Sequence, residues 1–193
     1  MNELKQIDPQ DRAAAGAAIA TVLQERFGEF RVHVQRDDLV RIDVPRKDII
    51  PVLSYLRSET PFLQLTHMTV IDWIEDDEFE LMYLVTAPTL RVSLMICYRF
   101  PRENAEAESV FKLWLQAETY EQEINEMYGI RFPDSPRQGI PFILEGWDDI
   151  PPMRREFDTV AYCERVHPER PGRSHEDSRA YVGRTVGEKG YLK

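Results

Sequence analysis

The sequence predicts an α+β domain: a mostly antiparallel mixed sheet flanked by helices, with an extended C-terminal tail. Three observations predict it. Alternating apolar runs joined by short turns supply strands that pair as antiparallel neighbours. Stretches with apolar residues at helical spacing interrupt them. From Pro133 onward prolines accumulate, and from Pro151 to Tyr191 leucine and isoleucine give out.

The elements follow in order. In residues 9–27, Ile19, Val22, Leu23 and Phe27 fall at helical spacing after an alanine run, and Gly28 ends the helix. FRVHVQ (30–35) alternates as a strand with Phe30, Val32 and Val34 on one face, and DDLVRIDVP (37–45) supplies a second strand after an acidic turn. RKDIIPVLSYLRSE (46–59) reads as a helix. FLQLTHMTVIDW (62–73), FELMYLVTA (79–87) and LRVSLMICYRF (90–100) read as three strands, joined by IEDDE and by APT. Residues 105–128 read as a further helix that Gly129 caps. The expected organisation is a core domain over 1–132, a Pro-rich irregular docking segment over 133–158 and a partner-binding tail over 159–193. Between Pro151 and Tyr191 there is no leucine or isoleucine, so that stretch cannot build a core of its own.

Composition narrows the function. The net charge of −10 disfavours unaided binding to nucleic acid or anionic membrane. The charge is uneven: residues 101–150 carry a net −7, and residues 151–193 a net +2. That asymmetry suits docking against another protein. SLMIC (93–97) is far shorter than the roughly 20 residues a membrane helix needs, and the charged N-terminus lacks a signal-peptide core. Cys97 and Cys163 form neither a disulfide framework nor a metal knuckle. A cytoplasmic protein is expected.

The richest candidate for chemistry is ETYEQEINEMYGIRF (118–132). Leu113, Ala117, Tyr120, Ile124 and Met127 make one apolar stripe, and Glu118, Glu121, Glu123 and Glu126 sit off it. Acid/base catalysis needs carboxylates converging from separate directions, which one helix face does not supply. A carboxylate metal site wants Glu-x-x-His, and position 126 is Glu. The four glutamates therefore read as a solvated or partner-facing surface. His33, His67, His167 and His175 are scattered, and the sequence has no GxGxxG, Walker loop or HExxH. EGWDDIPPMRREF (145–157) brings Trp147, Arg154, Arg155 and Phe157 together, the residue types that anchor interfaces. Packing of this loop on its own domain is the other reading.

In this order, the strands, the helix and the Pro-Arg segment resemble the 30 kDa subunit family of respiratory complex I, the NADH-quinone oxidoreductase. That family includes the related subunit of membrane-bound hydrogenases. Its signature is Glu-Arg-Glu, two residues, an acid, one residue, an aromatic, then Gly-Ile. Here it reads Glu121-Gln122-Glu123, Glu126, Tyr128, Gly129 and Ile130, and Pro152-Met153-Arg154-Arg155-Glu156-Phe157 matches the later segment in kind. The resemblance covers residues 15–158. Gln122 departs from the family's arginine, and PDSPRQGIPFIL (133–144) replaces a Gly-His-Pro-Asp-Leu-Arg-Arg stretch.

The resemblance implies a non-catalytic peripheral-arm subunit that binds no cofactor itself. Its partners would be a large hydrogenase-like subunit and a small iron–sulfur subunit, on the cytoplasmic face of the membrane. The expected interface is Glu118, Glu121, Glu123, Glu126, Arg131, Trp147, Arg154, Arg155 and Phe157. A quinone reductase and a membrane-bound hydrogenase or formate hydrogenlyase are both open branches. A free-standing enzyme using Glu123 and Glu126, and an unrelated α+β binding module, are the competing readings.

Overall fold

In a computed structural model of the chain, residues 12–166 are described. The order is α1 (Arg12–Phe27), β1 (Arg31–Arg36), β2 (Leu39–Asp43), a 3-10 turn, α2 (Ile49–Glu59), β3 (Gln64–Trp73), β4 (Glu78–Ala87), β5 (Val92–Pro101), α3 (Ala117–Tyr128) and α4 (Thr159–Val166). The sheet order is β1-β2-β5-β4-β3. Three of its pairings are antiparallel; β2 and β5 run parallel, with Leu39 opposite Ser93 and Asp43 opposite Cys97. The mixed α+β class expected from the sequence is the one observed.

Alternation decides which face of the sheet is covered. Phe79, Leu81, Tyr83 and Val85 of β4 stand beside Phe100, Tyr98, Ile96 and Leu94 of β5, and all are buried. They pack beneath Ile19 and Leu23 of α1, and Val52, Leu53 and Leu56 of α2. Burying each such side chain fully is worth about 1.5–3 kcal/mol. Val34, expected on the same face as Phe30, is 62% exposed because β1 is the edge strand. Gly16 lets α1 approach β2: a Cβ there would lie 2.6 Å from Val40 Cγ2.

Two elements differ from expectation. Helix α3 begins at Ala117, not near Ala105. Residues 105–107 lie extended beside Arg131, with Ala107 N–H donating to the Arg131 carbonyl at 2.9 Å and Arg131 N–H to that of Ala105 at 3.0 Å. Ala105, Ala107, Val110 and Trp114 then sink into the core. These tertiary contacts outweigh the helix propensity of the Ala-Glu-rich segment.

The chain forms two compact units that divide between Phe157 and Asp158. In the second, where extended chain was expected, α4 forms because the Asp158 side chain caps it, accepting from the amides of Val160 (2.9 Å) and Ala161 (3.0 Å). The remainder of the tail, with His167 and His175, lies outside the described residues, as do residues 9–11 of the first expected helix.

Candidate partner interface

The glutamates of α3 do not form one outward face. Positions 117, 121 and 124 point into the domain, so the buried stripe takes in Glu121, which is 1% exposed, and the neighbouring Gln122 is buried too. Glu121 accepts from the Val110 amide and from Ser109 Oγ, each at 2.8 Å. Burial pushes its pKa up, against the pull of nearby Ser135 and of the hydrogen bonds from Ser109 and Val110. It holds the 105–116 segment down, and its expected place in a partner-facing surface is corrected accordingly.

Glu126 turns to residues 140–144. Its carboxylate collects three successive amides: Phe142 at 2.7 Å, Ile143 at 2.9 Å and Leu144 at 3.0 Å. Burial pushes its pKa up, but these three donors outweigh that and hold it below the usual carboxylate range. One helical turn earlier, Gln122 donates to the carbonyls of Ile140 (3.1 Å) and Pro141 (2.9 Å) and accepts from Arg137 at 3.3 Å. Arg137 also pairs with Glu118 at 3.3 Å. The departure at Gln122 is thus an internal clamp. Of the four glutamates, Glu123 is the exposed one.

The expected docking arginines are also engaged at home. Arg154 donates from Nε to the Tyr128 carbonyl at 2.7 Å, and its guanidinium lies 5.3 Å from the centroid of Phe79. It can come this close because Gly129, at φ 73°, has no Cβ; one placed there would meet Arg154 Nη2 at 3.2 Å. The Arg155 amide donates to Asp72 Oδ2 at 3.0 Å, and its exposed guanidinium pairs with Glu75 at 2.5 Å. Asp72, whose side chain is 2% exposed, also holds Arg102 at 2.8 Å, and Arg102 reaches on to Glu156. Trp147 packs on Phe157 with ring centroids 5.5 Å apart and donates to the Ile150 carbonyl at 3.0 Å. Arg131 is exposed and pairs with Glu106 at 3.1 Å.

Residues 133–157 therefore form a strap along α3, riveted by Gln122, Glu126, Asp72 and Arg154. The strap turns outward what sequence reading passed over: Ile140, Phe142, Ile143, Ile150 and Met153 are all exposed. The signal available was a run from Gln138 to Met153 with seven large apolar residues and no lysine or arginine.

Elsewhere, a surface cavity of about 540 Å³ is lined by Arg31, Arg41, Asp43, Glu80, Cys97 and Arg99. Its charges are mutually committed: Arg41 lies 2.9 Å and Arg99 3.3 Å from the fully buried carboxylate of Glu80. Burial pushes the Cys97 thiol up to about 12, so it stays protonated near neutrality. Among the described residues, no group of three or more His, Cys, Asp or Glu side chains is placed to hold a metal ion. No described helix is long and apolar enough to cross a membrane.

The fold and these contacts define a class: an α+β scaffold carrying a riveted strap. The family described as respiratory-chain NADH dehydrogenase, 30 Kd subunit, matches residues 42–162, and the chain belongs to it. It is thus a 30 kDa-type subunit of respiratory or energy-converting complexes. The chain is 28% identical over 146 residues to the C-type subunit of the F420H2 dehydrogenase of Methanosarcina mazei, covering 72% of this chain and 90% of that one. It is 28% identical to the C-type subunit of the NADH-quinone oxidoreductase of Hyphomonas neptunium, covering 82% and 77%. Against the C/D-type subunit of the same enzyme from Psychrobacter cryohalolentis it is 26% identical and spans only 26% of that longer chain. Among solved structures, a chain of the membrane-bound sulfane sulfur reductase, an archaeal respiratory membrane complex, superposes with a TM-score of 0.71. That match is 26% identical and covers 84% of this chain and 96% of that one.

Proposed function

We propose that the protein is a non-catalytic, peripheral-arm subunit of a complex-I-like, membrane-associated oxidoreductase of the NADH:quinone type. In this role it carries no cofactor. It braces a large hydrogenase-like subunit and a small iron–sulfur subunit at the cytoplasmic face, so that electron transfer through them is coupled to ion translocation. The observation that carries the reading is the family match over residues 42–162, which takes in the strands β3–β5, helix α3 and the whole strap. The C/D-type relative supports a fixed neighbouring subunit, because there the counterpart of this chain is part of a much longer polypeptide named for two subunits. A second reading is the equivalent subunit of a membrane-bound nickel–iron hydrogenase or formate hydrogenlyase; the likeness to a chain of the sulfane sulfur reductase supports a complex outside the NADH:quinone type.

Affinity-tagged protein, purified in mild detergent from membranes of its native cells, tests both. The expected result is co-migration with iron–sulfur subunits in a complex that reduces quinone, while the isolated chain turns over nothing and holds no stoichiometric metal. Turnover or bound metal in the isolated chain would refute the subunit role. A co-purifying large subunit that retains nickel would select the second reading.

A further inference from the structure

Charged side chains here bind the strap to its own domain, and apolar ones face out. That inverts the usual arrangement of a solvated loop. Glu126 holds three amides of Phe142–Leu144, Gln122 holds two carbonyls, and the Met153 amide donates to the Met127 carbonyl at 3.0 Å. These bonds set residues 140–144 and Met153 beside consecutive turns of α3. They do so through backbone atoms, which leaves the side chains of Ile140, Ile143 and Met153 unused by the fold; Ile143 is 68% exposed. Ile140, Phe142 and Ile143 are neighbours along the chain, and exposed apolar residues clustered on a held segment mark an interaction site. Exposed acids lie near the patch, Glu145 and Asp148 on the strap and Glu123 on α3, while the flanking Arg137, Arg154 and Arg155 are engaged by Glu118, the Tyr128 carbonyl and Glu75 of this chain.

Resting on the subunit reading above, we propose that Ile140, Phe142, Ile143 and Met153 form the docking surface for a partner protein of the complex, one that presents an apolar pocket rimmed by lysine or arginine. Charge complementarity selects that occupant over a second copy of this chain, whose matching patch would bring the same acids face to face. The contact is preorganised. Because the rivets hold the strap before the partner arrives, little ordering cost is left for binding.

The test uses the full complex. p-Benzoylphenylalanine at Ile143, and as a control at Val34, is irradiated in the assembled complex, and the cross-linked peptides are identified by mass spectrometry. Position 143 is expected to capture an apolar partner peptide flanked by lysine or arginine, and position 34 to capture none. In parallel, Ile143→Asp with Met153→Asp should leave the melting temperature of the isolated chain unchanged and weaken incorporation into the complex at least about tenfold. Glu145→Lys with Asp148→Lys should weaken it too, and added salt should lessen that difference. Normal incorporation of the Asp variant, a cross-link to a second copy, or no cross-link from position 143 in a complex that has assembled would each overturn the docking surface while leaving the subunit role intact. Failure of the wild-type chain to enter any complex would overturn both.

Discussion

Replacing Glu126 by alanine should free the strap while leaving the domain folded. The carboxylate accepts three amides at 2.7–3.0 Å. At about 1.5 kcal/mol for each hydrogen bond to a charged group, the ceiling is about 4–5 kcal/mol. The site is partly exposed, so water takes over part of the task, and the expected net loss is about 2 kcal/mol. At about 1.4 kcal/mol per factor of ten, that is a roughly 30-fold loss of hydrogen-exchange protection at the amides of Phe142, Ile143 and Leu144. Glu126→Gln, with one neutral oxygen left to accept, should lose about fivefold, near 1 kcal/mol. The pH dependence has a definite sign. Because the folded pKa lies below the ordinary glutamate value of about 4.3, the stabilisation is fully present above that value and disappears as the pH falls through the lowered folded pKa. Protection of these amides, corrected for intrinsic rates, should therefore fall below about pH 4 in the wild type and stay flat in the Gln variant. Unchanged protection in Glu126→Ala would refute the rivet, and so would an equal loss across β4.

Two further changes test the packing. Asp72→Ala leaves Arg102 without its buried partner and frees the Arg155 amide, which should cost about 3–5 kcal/mol in urea unfolding; a loss below about 1 kcal/mol would contradict the role given to Asp72. Gly16→Ala gains about 1 kcal/mol of helix propensity but forces a methyl against Val40, and overpacking costs about 1–3 kcal/mol. Net destabilisation is expected in thermal melts of the wild-type background and stabilisation when Val40→Ala is also present, whereas stabilisation in the wild-type background would show that α1 yields freely.

What was legible in the sequence was whatever apolar periodicity encodes. Phe79, Leu81, Tyr83 and Val85 alternate, and β4 lies where that alternation puts it. Short turns identified β3, β4 and β5 as antiparallel neighbours, but turn length carries no information about β2 lying parallel to β5, because that pairing joins strands far apart in the chain. Helix α3 was legible from Gly129 and from Ile124, whereas its start was not, since Ala105 and Ala107 are good helix formers held extended by tertiary bonds. The burial of Glu121 and Gln122 escaped a reading that counts only apolar residues as inward. The strap was legible as coreless and proline-rich. Its attachment runs through the amides of residues 142–144 and the carbonyls of 140 and 141, groups that every sequence has, so no side-chain pattern announces it.

The parallel seam between β2 and β5 also bears on how the molecule assembles. The β1–β2 hairpin and the β3–β4–β5 meander are each made of near-neighbour contacts, and these close quickly. Joining them means bringing Leu39 to Ser93 across α2 and the whole of β3 and β4. That long loop closure is the slow step the topology imposes. Until it happens, the β5 edge destined for β2 is unpaired and apolar. A nascent chain therefore carries an open, aggregation-prone strand edge until its first hairpin docks.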